Sequence, residues 1–301
     1  MTVSPAPLVH VLLGLLLAPL LLGIVNRTKA FFAGRRGQPL LQLYWDLAKL
    51  LRKGAVYSRT TTWVFQAGPV VGLAAVLGAL ALVPFGGAAA PLAFEGDLLL
   101  LAYVLGLMRF FTVVAALDTG SSFEGMGASR EVQFAALAEP ALLLALAAGA
   151  RLAGSLSLSG ILPAAPPLSP ELVLAASAVA IVFLCENSRV PFDDPNTHLE
   201  LTMIHEVMVL DHGGPDLAVI LYSAALKLWV LGALIVGMLV PTAADVPWAV
   251  NTGLGLAGMV LLAVVVGVVE SVTARVRLVR VPHLLAAAGA LGALAFVLAL
   301  R

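Results

Sequence analysis

The sequence predicts an all-α, polytopic integral membrane protein with about eight transmembrane helices and one interfacial amphipathic helix. Three observations predict it. Of 301 residues, 61% are hydrophobic and 11% charged, with a mean hydropathy of +1.03, whereas a soluble domain carries roughly a quarter charged residues. Apolar stretches recur at close to the ~20 residues that a helix needs to cross the hydrocarbon. They are continuous rather than alternating, so they read as helices and not as barrel strands. The 17 basic and 17 acidic residues cancel. This composition excludes a water-soluble enzyme, a disordered chain and a nucleic-acid binder relying on net positive charge.

The first apolar run, Val9 to Val25, has no basic segment before it and is followed by Asn26-Arg27-Thr28-Lys29. That is the reverse of a cleaved signal peptide, so a retained span is expected at 8–25. Next comes Gln38 to Lys53, QPLLQLYWDLAKLLRK. Helical spacing puts Leu40, Leu43, Tyr44, Leu47, Leu50 and Leu51 on one side and Asp46, Lys49, Arg52 and Lys53 on the other, the pattern of a helix lying in the interface. Arg35 and Arg36 lead into it. It serves as an anchor, as a docking floor for a peripheral protein or as the mouth of a lipophilic tunnel. Further spans are expected at 66–85, 98–117, 133–153, 171–185, 217–240, 253–270 and 284–300, forming a single membrane domain over 1–301.

Charge sorts the connections. Those at 26–65, 118–132, 186–216 and 271–283 hold most of the arginines and lysines, while 86–97, 154–170 and 241–252 hold acids or nothing. Because basic residues stay on the cytoplasmic side, the first group is expected inside and both termini outside.

Four ionisable residues fall within or at the ends of spans: Arg109, Glu139, Lys227 and Glu270. Each costs about 2.5–3.5 kcal/mol at the bilayer centre, so partners or a wet cavity must hold them. They are either structural ion pairs, such as Arg109 with Glu139, or a proton relay in which bases keep the carboxylates ionised. The connection from Glu186 to Asp216 adds Asp193, Asp194, Glu200, Glu206 and Asp211 against one base, Arg189, with Pro191 and Pro195 forcing a structured turn. It is a solvated acidic loop, a docking loop or a proton-loading antechamber. His198, His205 and His212 lie seven apart, too wide for a local metal chelate.

The one cysteine, Cys185, can form no intrachain disulfide and cannot alone hold an iron–sulfur cluster. There is no Walker loop, GxGxxG fingerprint or GxSxG elbow. Asp118-Thr119-Gly120 and Gly125-x-Gly127 read as turn glycines.

Three segments between these spans resemble a known family. They run Arg35-Arg36-Gly37-Gln38-Pro39-Leu40-Leu41-Gln42 to Asp46-Leu47-Ala48-Lys49-Leu50-Leu51; Leu117-Asp118-Thr119-Gly120-Ser121-Ser122-Phe123 with Gly127-Ala128-Ser129-Arg130-Glu131 and Glu139-Pro140; and Glu186-Asn187-Ser188-Arg189-Val190-Pro191-Phe192-Asp193. Together they are similar to subunit 1 of respiratory complex I, most of all its hydrogenase-4 and formate hydrogenlyase branch. Asn196 and His198 stand where complex I tends to carry acids, and the Gly-Pro-Asn-Arg opening of its first loop is missing, which favours the hydrogenase branch.

The resemblance implies a non-catalytic membrane subunit that joins a redox arm to antiporter-like pumping subunits. By position it implies relay residues Glu139, Glu186, Asp193 and Glu200; Glu206, Arg109, Lys227 and Glu270 join them from the reading of charges at membrane depth. It places Asp46, Lys49 and Arg189 at the arm interface, with Arg35, Arg36, Arg130 and Glu131 beside them. The implied partners are hydrogenase-like large and small subunits, a ferredoxin-like iron–sulfur subunit and antiporter-like subunits. The iron–sulfur clusters and nickel–iron centre would sit in those partners and no cofactor in this chain. The implied setting is the cytoplasmic (inner) membrane of a bacterium or archaeon. The alternatives are subunit 1 of a quinone-reducing complex I, which would bind quinone, and a stand-alone secondary transporter.

Overall fold

The computed structural model describes residues 6–164, 169–193, 203–242 and 245–301. Helices dominate, because lipid leaves backbone amides no partner outside their own segment. In chain order they are α1 (Ala6–Phe32), α2 (Gln42–Leu50), α3 (Trp63–Leu82), α4 (Asp97–Asp118), α5 (Ser122–Ala153), α6 (Leu158–Ala164), α7 (Pro170–Glu186), α8 (Gly214–Leu239), α9 (Trp248–Val272) and α10 (Val281–Leu298). Seven are long and apolar enough to cross a membrane, and α7, 17 residues long, coincides with the shortest expected span. The chain is therefore a polytopic all-α membrane protein.

Helix α8 is the centre. From Leu228 to Val236 every residue is buried, as expected of a helix that is apolar all round and packed on all sides. It touches α1, α3, α7 and α9, while α10 closes the bundle against α5 and α7. Small residues let backbones approach. A Cβ on Gly267 of α9 would lie 2.6 Å from the Cβ of Thr28 on α1, so only glycine permits this crossing.

Each end of the bundle is tied by polar side chains. At one end Asp118, closing α4, accepts from the Thr62 backbone N–H at 2.6 Å and from its hydroxyl, fixing the start of α3. At the other, buried Asp97 accepts from Ser157 Oγ at 2.8 Å and Leu158 N–H at 2.7 Å, which caps α6.

The structure corrects two expectations. The connection at 118–132 is mostly helix: only 119–121 link α4 to α5, and α5 runs 32 residues. Gly120 does take the left-handed turn (φ 70°), but Gly127 is helical and buried. Its missing side chain admits the segment after residue 203, since a Cβ there would meet Val207 Cγ1 at 2.4 Å and the Ile204 carbonyl at 2.9 Å. The interfacial helix is also shorter than the pattern suggested, and Asp46 is not on its outer face. Asp46 is half-buried, hydrogen-bonded at 2.9 Å by Gln42, and Trp45 takes the exposed side.

Candidate functional site

Arg109 projects from α4 about 13 Å, nine residues, before that helix ends at Asp118. Three carboxylates converge on it. Glu131 of α5 accepts from Nε at 3.0 Å, Glu139 of α5 from Nη1 and Glu186 of α7 from Nη2. Helical spacing explains the pair on α5: residues eight apart lie on one face, two turns along. Lys227 of α8 stands 3.6 Å from the second oxygen of Glu186. The network continues outward. The free oxygen of Glu131 meets His205 Nε2 at 3.2 Å, and His205 Nδ1 faces Asp193 at 3.4 Å. Asp193 accepts from the backbone N–H groups of Ile204 and His205, each at 3.1 Å, and pairs with Arg275 at 2.9 Å.

Burial sets the electrostatics. Desolvation alone would lower the His205 pKa, but the Glu131 charge and the Asp193 hydrogen bond outweigh it and hold it above the ordinary histidine value. Desolvation would raise Asp193, yet the hydrogen bond and charge of His205 and the two backbone N–H groups hold its carboxyl below the usual range. The exposures differ along the chain of groups. The side chains of Arg109, Glu131 and Glu186 are largely buried, while that of Glu139 is 47% exposed on the outer surface of the bundle. One end of the network thus faces whatever lies beside α5.

A cavity of about 310 Å³ opens onto this network. Leu22 and Asn26 of α1, Gln38 and Pro39, and Gln42, Leu43 and Asp46 of α2 form one wall; Leu221, Ala224 and Leu228 of α8 form another. Arg109, Glu131, Glu186, Arg189, His205, Glu206 and Lys227 supply the charged lining. The loop from α1 to α2 presses close here, since a Cβ on Gly23 would overlap the Leu40 carbonyl at 2.0 Å.

Of the expected relay residues, Arg109, Glu139, Glu186, Lys227 and Asp193 belong to one connected network, and Glu206 lines the same cavity. Glu270 does not join the network. It is fully buried and paired with Lys29 at 2.7 Å and Arg189 at 3.4 Å, so these three form a separate group. Glu200 lies outside the described residues, as do Asp194, Asn196 and His198.

Of the expected docking residues, Arg35, Arg36 and Lys49 are exposed. Arg189 is buried against Glu270, and Arg130 donates to the Met203 carbonyl at 2.7 Å, which pins the segment following residue 202. Glu131, expected beside the docking residues, sits between Arg109 and His205 at the middle of the network. His205 and Arg275 were not singled out for this cluster by sequence reasoning, although the acid-rich loop around His205 was the available signal. His212 stacks on Phe65, with ring centroids 3.9 Å apart, and so does not share partners with His205.

Comparison with known proteins places this geometry. The family model described as NADH dehydrogenase matches residues 6–300. Formate hydrogenlyase subunit 4 of Escherichia coli (strain K12) is 35% identical over 270 residues, covering 88% of this chain and 85% of the relative. Hydrogenase-4 component C of the same strain is 32% identical over 293 residues, covering 94% and 91%. A subunit of the NADH-quinone oxidoreductase of Anaplasma phagocytophilum (strain HZ) is 29% identical over 187 residues, 56% of this chain and 54% of the relative. The same fold occurs in a chain of the membrane-bound sulfane sulfur reductase, an archaeal respiratory membrane complex (TM-score 0.84, 20% identity, 98% of both chains). With the family model spanning nearly its whole length and two such relatives above 30% identity, the chain belongs to the NADH dehydrogenase subunit 1 family, alongside the formate hydrogenlyase and hydrogenase-4 membrane subunits.

Proposed function

We propose that this chain is the membrane-anchoring and proton-coupling subunit of a complex I-related [NiFe] hydrogenase of the formate hydrogenlyase or hydrogenase-4 type. The observation that carries the reading is the Arg109 network, which gathers Glu131, Glu139 and Glu186 at membrane depth and ends at a half-exposed Glu139. Carboxylates that share one guanidinium can respond to a change of charge nearby by taking up or releasing protons. The two relatives named for hydrogen-metabolising complexes support the assignment. In this reading the chain sits in the inner membrane with both termini outside. Its basic end, with Arg35, Arg36 and Lys49, holds a redox arm on the cytoplasmic side, and the face bearing Glu139 abuts antiporter-like subunits. Metal and iron–sulfur chemistry belong to the partners.

Purification of the chain from its native membrane tests this. Hydrogenase-like large and small subunits and an iron–sulfur protein are expected to copurify; their consistent absence under conditions that preserve membrane complexes would remove the proposal.

A second reading, subunit 1 of a quinone-reducing complex I, draws on the cavity, whose Leu22, Leu43, Leu105 and Met108 offer an apolar lining beside charged groups. The partial similarity to an NADH-quinone oxidoreductase subunit accords with it. Photolabelling with a quinone analogue separates the two, with label expected on α1, α2 or residues 203–209 only if quinone occupies the cavity.

A further inference from the structure

We propose that His205 is a charged, switchable bridge between the loop carboxylate Asp193 and the membrane carboxylate Glu131, joining the loop after α7 to the Arg109 cluster. The inference rests on the proton-coupling reading and adds a residue and a protonation state to it.

Three observations carry it. Both ring nitrogens face carboxylate oxygens, Nε2 toward Glu131 at 3.2 Å and Nδ1 toward Asp193 at 3.4 Å. An ionised carboxylate only accepts, so a neutral ring, with one N–H, would set a bare nitrogen against one of these oxygens, whereas the imidazolium hydrogen-bonds Asp193 and sets positive charge at ion-pair distance from Glu131. Next, the oxygens are already committed. Glu131 gives its other oxygen to Arg109, and Asp193 is held by Arg275 and two backbone N–H groups, an arrangement that keeps Asp193 ionised. Last, in the connected ion pairs of the described residues, four carboxylates (Glu131, Glu139, Glu186, Asp193) face two arginines and a lysine (Arg109, Arg275, Lys227). An imidazolium at His205 adds a fourth cation to these pairs.

Other charges act on the ring from neighbouring elements. Lys227 from α8 opposes its protonation, and the Glu186 carboxylate at the end of α7 interacts with it; Glu206 is its neighbour in sequence and lines the same cavity. These groups make the balance adjustable. If the Glu186–Lys227 pair is disturbed, the ring's Nε2–H bond breaks and a Glu131 O–H bond forms. A proton moves, and an ion pair becomes a neutral acid beside a neutral ring still held through Nδ1–H by Asp193. Arg109 then keeps two ionised partners instead of three. Because Glu131 and His205 both line the cavity, a water there takes the Glu131 proton, leaving the carboxylate, and a hydronium there gives one to Nε2, leaving water, which restores the ion pair.

The test uses the intact membrane complex with three variants: H205Q, H205K and, as a control on the underlying reading, R109Q. Subunit recovery and coupled turnover are measured from acidic to alkaline pH. Wild-type turnover is expected to fall as pH rises through the ring's own titration. H205Q is expected to lose about a hundredfold at neutral pH, the low end of what positioned acid–base groups contribute, and to lack that alkaline fall. H205K keeps the charge without a switch at that pH, so it is expected to restore recovery but not turnover. Wild-type behaviour of H205Q alongside an impaired R109Q would overturn the bridge and spare the coupling reading. Indifference of both would end both. Full turnover in H205K would show that charge alone suffices and would overturn the switch. If H205Q does not assemble, ¹⁵N-histidine spectra of the wild-type complex, with H205K as the blank, decide: a ring carrying one proton at neutral pH overturns the proposal.

Discussion

At the scale of single residues, the Arg109 cluster separates stability from coupling. Arg109 is largely buried and answers three carboxylates at once, so Arg109→Gln leaves uncompensated negative charge beneath the loop. Breaking a buried pair from one side costs about 3–5 kcal/mol, and thermal denaturation of the detergent-solubilised complex should register a loss of that order. Glu139→Gln is expected to behave differently. Its side chain is half-exposed and shares Arg109 with two other carboxylates. Assembly should remain near wild type while coupled turnover drops several-fold; a fully coupled variant would make its charge incidental.

Asp193 and His205 carry opposite pH signatures. The His205 contribution to stability is complete below the ordinary histidine value of 6.5 and is lost as pH rises through the higher folded value. The Asp193 contribution is present above the ordinary 3.8 and is lost as pH falls through the lower folded value. The loop should therefore resist limited proteolysis best between those limits, and a protease-susceptibility profile across pH checks it.

At the scale of elements, the meeting of α5 with residues 203–209 is the most constrained contact near the site. Gly127 leaves no room for a side chain against Val207 and the Ile204 carbonyl. Gly127→Leu should push that segment away and carry His205 with it, while the helical backbone itself gains, since leucine favours helix by up to about 1 kcal/mol over glycine. The expected outcome is a folded bundle with the His205–Glu131 pair broken, visible as increased hydrogen exchange in residues 203–209. Unchanged protection would mean the helix shifts instead.

This contact also shows what the sequence can and cannot reveal. Seven long apolar helices are legible in the sequence, because lipid imposes length and apolarity on each segment independently. The start of α5 is not, because Gly125 and Gly127 carry the signature of a turn when read alone; the partner segment explains Gly127, and nothing in the structure explains Gly125. Asp46 is misplaced for a similar reason: amphipathic spacing groups it with Lys49, but the neighbouring cavity offers an inward carboxylate a polar setting. Arg109, Glu139, Glu186 and Lys227 stand out as charges amid apolar runs. Glu131 and His205 lie in polar stretches, where a charge is unremarkable until the fold pairs it.

At the scale of the whole molecule, the basic loop borders the charged network. Arg35 and Arg36 are exposed on the loop between α1 and α2, with Arg27 tied to the Arg36 carbonyl, while Gln38 and Pro39 of the same loop line the network's cavity. On the proposed role, Arg35→Glu with Arg36→Glu should weaken docking of the arm while leaving the bundle folded, because neither side chain is buried. Recovery of arm subunits on an affinity-tagged chain should fall at least several-fold and fall further with added salt, as exposed charge contacts do. Undiminished recovery would place the docking surface elsewhere.

Cys185 has a practical consequence. It is the chain's single thiol, and it is 5% exposed on α7 in the interior of the bundle. A cysteine introduced on the outside of α2 or in the turn after α9 would consequently be the dominant target for a water-soluble maleimide, without first engineering away native sites. Spin or fluorescent probes attached at two such positions could then follow the distance between the amphipathic helix and the α9 terminus in the purified chain.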